Sequence, residues 1–215
     1  DYGYLIMKRY DCDLFTFAFE MRDSPLPEDD IKVLFAKICK AIKGLHKKRI
    51  AHLDLKPENI LLDLGTMEPY ICDFGSAFTS SSRKSSNRRS RKSIQAVPAL
   101  GVRGTRKFSS PEMSLTPMCY DPFRADIYSL GVVLYTLCTG FFPPQGTDAQ
   151  GKTSTDFSDA KEIMPRNAYS LLQSIVNPSP TERFSIDDIL DHEWITGKKL
   201  LCPRRVKMAW CKISH

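Results

Sequence analysis

Apolar residues recur at helical spacing between positions 31 and 45. Ile31, Leu34, Phe35, Ile38, Ile42 and Leu45 fall on one face, so the pattern predicts an amphipathic helix over 27–48. Pro27 and the acids Glu28, Asp29 and Asp30 open it, and Lys47, Lys48 and Arg49 gather at its end, as the helix dipole favours. Two short apolar runs, Ile60-Leu61-Leu62 and Pro69-Tyr70-Ile71-Cys72, flank Leu64-Gly65 and read as a hairpin. From Asp126 to Tyr135 the residues are apolar nearly all round, which predicts a helix surrounded by protein and ended by Thr139-Gly140. Leu171, Leu172 and Ile175 mark the inner face of a helix over 167–176, and Ser185 with Asp188 makes a capping box for a helix through Asp191. At the start, Tyr4-Leu5-Ile6-Met7 reads as a short strand, followed by a polar break and a helix-like segment from Asp13 to Phe19. The polar stretch 145–159, rich in Gly and Thr, reads as a mobile loop.

One stretch breaks with these patterns. Between Ser80 and Ser93 lie seven serines and six basic residues and no acid, so the segment cannot bury a core and is expected to be disordered. It accounts for the whole formal net charge of +6 of the 215 residues, so the basic character is local. A general nucleic-acid-binding surface is therefore not expected. Ser86, Ser90 and Ser93, each with basic residues upstream, are phosphorylation candidates, and Arg88 to Lys92 could serve nuclear import. No run approaches eighteen apolar residues, so no membrane-spanning helix is expected. The seven cysteines are scattered, odd in number and without a C-x-x-C, the usage of reduced thiols inside a cell, cytoplasmic or nuclear.

The candidate chemistry is concentrated in His52-Leu53-Asp54-Leu55-Lys56-Pro57-Glu58-Asn59, followed fourteen residues after Asn59 by Asp73-Phe74-Gly75. A carboxylate, a Lys two residues on, an Asn five on, and a second carboxylate before Phe-Gly form, in order, a phosphoryl-transfer set. The spacing resembles the catalytic loop of eukaryotic-type protein kinases and the D-F-G that follows it. Gly104-Thr105-Arg106-Lys107-Phe108-Ser109-Ser110-Pro111-Glu112 is similar to the end of that family's activation segment. Asp126-Ile127-Tyr128-Ser129-Leu130-Gly131 resembles the start of its buried central helix, with Tyr128 for Trp, and His192-Glu193-Trp194-Ile195 its usual end.

The resemblance implies an α+β fold: the mainly α-helical large lobe of a kinase with short β-hairpins, spanning 1–196 with the hinge, an activation-segment insertion at 79–101, and a basic extension over 197–215. It implies ATP and Mg2+ as cofactors and a protein as the phosphate acceptor. Asp54 would accept a hydrogen bond from the acceptor hydroxyl and take its proton. Lys56 would neutralise charge on the transferring phosphate. Thr105 would bond both, a pattern that suits serine/threonine substrates. Asn59 and Asp73 would hold the metal. On the nucleotide side, Met7 would back the adenine pocket, backbone groups of Lys8 to Tyr10 would bond adenine, Asp13 could reach the ribose, Leu61 would floor the base, and Glu58 joins this set. The acids that could select basic substrates include Asp13 and Glu58, which many kinases share. Cys72 would line the same pocket. His52 is read as a packed support of the loop, Asp126 as its backbone anchor, and Glu112 with Arg183 as a structural ion pair.

Two features depart from the family. The Arg before the catalytic Asp, which receives an activation-loop phosphate, is Leu53. His-Leu-Asp resembles kinases that are not switched this way. No G-x-G-x-x-G occurs, nor a strand Lys with a helix Glu to pair with it, so a chain cut at its N-terminus is expected, with an apolar upper face left open. The alternative function is a catalytically inactive kinase-like scaffold that binds protein partners.

Overall fold

A computed structural model describes residues 4, 6–21, 26–79, 103–114, 120–147 and 153–197. The serine- and arginine-rich stretch 80–93, and the basic extension beyond 197, lie outside the described residues, so the expectations placed on them are not addressed by the fold.

Two long helices form the frame. Helix α1 (Glu28–Lys47) buries Ile31, Leu34, Phe35, Ile38, Cys39 and Ile42, the face that the apolar spacing predicts. Helix α2 (Pro122–Thr139) buries fifteen of its residues, Asp126 and Ser129 among them. Its start is capped by Asp121, whose carboxylate accepts from Phe123 N and Arg124 N, and its end by Gly140 at φ 77°. The two helices pack together, and α2 also packs on α4 (Arg166–Ile175). Around this core lie α3 (Ala160–Ile163), α5 (Ile186–Asp191) and α6 (Glu193–Thr196). The capping box at Ser185 and Asp188 is present on both sides. Trp194 is buried against Phe35, and its indole N–H donates to Glu28 at 2.8 Å, closing the last helix onto the first.

The strands are short and sit on one edge of this helical body. β1 (Cys12–Asp13), β3 (Ile60–Asp63) and β4 (Glu68–Ile71) make a three-stranded antiparallel sheet in the order β1-β3-β4. The hairpin pairs Ile60 with Ile71 and Asp63 with Glu68. Lys37 on α1 fastens its turn, donating to the carbonyls of Thr66 and Met67 and pairing with Glu68. β2 (Ile50–Ala51) pairs with β5 (Phe78–Thr79), so the segment before the loop 52–59 is tied to the segment after Asp73-Phe74-Gly75.

Two local expectations are corrected and one is refined. Residues 4 and 6–10 form no strand; Tyr4 and Ile6 are over 90% exposed, with no ladder partner among the described residues. A strand exists only through pairing, and apolar composition does not supply the partner. The helix-like segment after Asp13 is wound as a π-helix, Thr16–Glu20. The expected loop 145–159 contains a hairpin instead, β6 (Gln145–Thr147) with β7 (Thr153–Thr155), continued by Asp156 N donating to Pro144 O at 2.8 Å. Gly and Thr signalled turns there, whereas ladder hydrogen bonds made by the backbone leave little trace in side-chain pattern.

Candidate active site

Asp126 organises the site from beneath. It is fully buried in α2, and its two carboxylate oxygens accept from His52 N and Leu53 N, each at 2.8 Å. A buried carboxylate stays only where donors satisfy it, so the loop backbone is held from both amides. His46, at the end of α1, adds a bond of 2.9 Å to the same carboxylate, a partner that spacing did not suggest. Held this way, Leu53 adopts φ 62°, and Asp54 follows it with its side chain 12% exposed. Left-handed backbone at a branched residue is strained, and such strain persists where surroundings over-determine it.

Asp54, Lys56, Asn59 and Thr105 converge. Asn59 Nδ2 donates to Asp54 O at 2.9 Å and to Asp54 Oδ2 at 3.3 Å. Thr105 N donates to Asp54 Oδ1 at 2.7 Å, and Lys56 Nζ donates to Thr105 Oγ1 at 2.8 Å. Lys56 Nζ also lies 3.6 Å from Asp54 Oδ2. Thr105 therefore bonds both partners, as expected, but reaches Asp54 through its amide and Lys56 through its hydroxyl. The approach requires Gly104 at φ 73°: a Cβ there would sit against the Leu53 carbonyl and 2.8 Å from Asp54 Oδ1.

His52 is the packed support that the sequence suggests. It is fully buried, its Nε2 lies 2.8 Å from Cys72 O, and its ring meets Phe74 edge-on at 5.1 Å. This bond and the β2–β5 pairing carry Asp73 to the same end of the molecule as Asn59, whose carbonyl accepts from Cys72 N at 3.0 Å. Asp73 is exposed at φ 57° and accepts from Gly75 N at 3.2 Å. With Asn59 Nδ2 spent on Asp54, the Asn59 side-chain oxygen and the Asp73 carboxylate are hard oxygen donors. That set fits Mg2+, which takes one or two protein oxygens and fills the rest from phosphate and water. Among the described residues no cluster of three or more His, Cys, Asp or Glu could hold a metal, so the softer, closed type of site is not offered there.

Of the residues expected on the nucleotide side, Asp13 and Leu61 lie in the three-stranded sheet. Leu61 is half-buried in β3, paired with Asp13 of β1. Both Asp13 carboxylate oxygens take bonds from Thr16, at 2.8 and 3.2 Å, so Asp13 caps the π-helical turn. Lys8 and Tyr10 turn their side chains to the hairpin: Lys8 pairs with Asp63 at 3.3 Å and lies over the rings of Tyr10 and Tyr70, themselves 4.5 Å apart. Among the described residues the backbone groups of Lys8 to Tyr10 carry no hydrogen bond, which leaves them available to a ligand. Glu58 is exposed beside Asn59, and Met7 is 55% exposed. Cys72 is half-buried; burial first, then the charge of Asp73, push its thiol up, so it stays protonated and is a poor nucleophile.

The end of the 73–112 segment is anchored by the expected pair. Arg183 donates to both Glu112 oxygens, at 2.7 and 3.0 Å, and further to the carbonyls of Arg124 and Asn177. Arg124 returns a bond to Arg183 O, and Arg183 lies 5.1 Å above the ring of Tyr128. Arg103, which sequence reasoning missed, bonds the Ser76 carbonyl at 3.1 Å and so joins the two ends of the segment. No spacing rule announces a contact across 27 residues.

This geometry meets the comparisons with known proteins. A family model described as "Protein kinase domain" matches residues 1–195. The chain belongs to the protein kinase family. Its sequence is 32% identical over 172 residues to a Dictyostelium discoideum protein named "Probable serine/threonine-protein kinase pXi", covering 79% of this chain and 22% of that protein. It is 32% identical to CBL-interacting protein kinase 8 of Oryza sativa, covering 81% of this chain and 36% of the relative. It is 30% identical to serine/threonine-protein kinase dkf-1 of Caenorhabditis elegans, covering 92% of this chain and 26% of the relative. The chain spans 10% of the length of one curated relative it matches and 38% of another, well under two thirds in each case. Among the described residues no helix is long and apolar enough to cross a membrane.

Proposed function

We propose that this domain transfers the γ-phosphate of ATP to serine or threonine hydroxyls of proteins. The observation that carries the reading is the closed set Asp54–Thr105–Lys56, with Asn59 bonded back to Asp54. The acceptor oxygen forms a bond to the γ-phosphorus while the bond from that phosphorus to the bridging oxygen breaks, and ADP leaves with the electron pair. Asp54, oriented by Thr105 N and Asn59 Nδ2, holds the acceptor O–H and takes its proton as the transfer completes. Lys56, steered by the Thr105 hydroxyl, meets the charge on the moving phosphoryl group. Asn59 and Asp73 are the residues that would hold Mg2+, which would supply positive charge against the phosphates. The free backbone of Lys8 to Tyr10 and the half-buried Leu61 are the proposed adenine contacts.

An inactive scaffold would need neither the carboxylate pair nor the Lys–Thr bond, and all of these are intact. Asp54→Ala in the full-length protein that carries this domain, assayed by ATP-dependent phosphorylation of peptide and protein substrates, is expected to lower turnover by about 10²–10⁴-fold while the fold is retained. Turnover equal to that of the unaltered protein would refute the assignment. An intracellular setting, cytoplasmic or nuclear, is proposed from the dispersed cysteines; the four among the described residues are all unpaired. No specific nucleic-acid contact is proposed.

A further inference from the structure

Two exposed cations follow directly on the residue that touches the proposed base. Arg106 and Lys107 are one and two positions beyond Thr105, and both are exposed. Their backbone is not free to wander. Thr105 is bonded to Asp54 and Lys56, Phe108 is buried, Phe108 N donates to Thr105 O at 2.9 Å, and Ser129 Oγ in α2 donates to Phe108 O at 2.7 Å. Gln145 adds a bond to the Arg106 carbonyl at 3.4 Å. The Lys107 ammonium lies 5.1 Å from the ring of Phe142, which stacks on Phe15 at 6.1 Å and meets Phe108 edge-on at 5.8 Å. Lys107 is thereby held against the ring of Phe142.

Neither cation has an acidic partner among the described residues, whereas Lys8, Lys32, Lys37, Lys43 and Arg183 all do. Lys56 is committed to the chemistry and Arg103 to backbone carbonyls. Asp13, one of the acids that could draw a basic substrate, is spent on Thr16. Because Arg106 and Lys107 follow directly on Thr105, which bonds Asp54, residues flanking a hydroxyl at Asp54 come within their reach, an extended chain advancing only about 3.3 Å per residue. We propose that the segment phosphorylated by this protein carries a negative charge, a carboxylate or a phosphate, within about three residues of the accepted hydroxyl, read by Arg106 and Lys107. Phosphate suits Arg106 better than carboxylate, because it offers more charge and a third acceptor oxygen. This specificity rests on the kinase reading above and deepens it.

The test separates the two claims. Peptides with one Ser acceptor and Asp, phosphoserine, Ala or Lys placed at each position from three before to three after it are compared in two ways on the full-length protein. The first is kcat/KM. The second is fluorescence-anisotropy binding to the Asp54→Asn protein, which needs no turnover. Acidic peptides are expected to exceed their Lys counterparts by about five- to tenfold at one or more positions, phosphoserine more than Asp, with the gap closing at high salt. Arg106→Glu with Lys107→Glu is expected to reverse the order. Equal or opposite ranking in binding overturns the specificity, whatever the turnover. A binding preference that holds while no peptide is phosphorylated leaves the specificity standing and overturns the kinase reading alone. Should the double variant not fold, Arg106→Gln and Lys107→Gln singly must each shrink the preference; a preference that survives both overturns the proposal.

Discussion

Gly104 shows how little room the site allows. Its φ of 73° and the nearness of Leu53 O and Asp54 Oδ1 leave no volume for a side chain. Gly104→Ala is expected to push Thr105 away from Asp54 and Lys56 and lower turnover by about 10²-fold, the usual consequence of a displacement near 1 Å in a reacting set. Thermal unfolding should move far less than turnover; a variant that loses both together would mean the residue serves folding. Leu53 illustrates the opposite case, a residue whose role is apolar. It is 5% exposed and packs with Ala51, Met113, Tyr120 and Ala125. The position where the family carries an Arg is closed by hydrocarbon.

At the scale of elements, the 73–112 segment is held at its far end by a buried charge pair rather than by packing alone. Arg183 is 2% exposed and makes bonds to Glu112, Arg124 and Asn177. Removing one partner strands a charge in a dry site. Glu112→Ala is expected to cost about 3–5 kcal/mol in urea unfolding, well above the value for an exposed pair. A loss under about 1 kcal/mol would show that Arg183 is satisfied by carbonyls alone. The same helix, α2, presents Asp126 upward to the loop and Ser129 to Phe108, so one buried element positions both the base and the cations that follow Thr105.

For the molecule as a whole, the buried apolar Leu53 decides how a phosphate on the serine-rich stretch would act. Charge-assisted bonds to the catalytic loop need a cation at that position, and hydrocarbon offers none. Alanine at Ser86, Ser90 and Ser93 together is expected to leave kcat/KM on peptide substrates within about threefold, a change under about 1 kcal/mol in barrier. Loss of activity in that triple variant of the full-length protein would contradict a phosphate-independent site. The aromatic cluster of Phe15, Phe108 and Phe142 is built from three separate parts of the chain.

Much of this was legible from residue order. Helical periodicity set α1 and its buried face, the all-round apolar run set α2 as the centre, and motif spacing named Asp54, Lys56, Asn59, Asp73 and Thr105, because local propensity and chemistry are written in residue type and interval. What tertiary structure alone decided is which groups meet across long intervals: His46 with Asp126, Arg103 with Ser76, and Lys107 with Phe142. It also decided that 145–147 and 153–155 pair as strands, while residues 6–10 remain without a ladder. Pairing depends on a partner brought close by the fold, and spacing along a chain carries no measure of that distance.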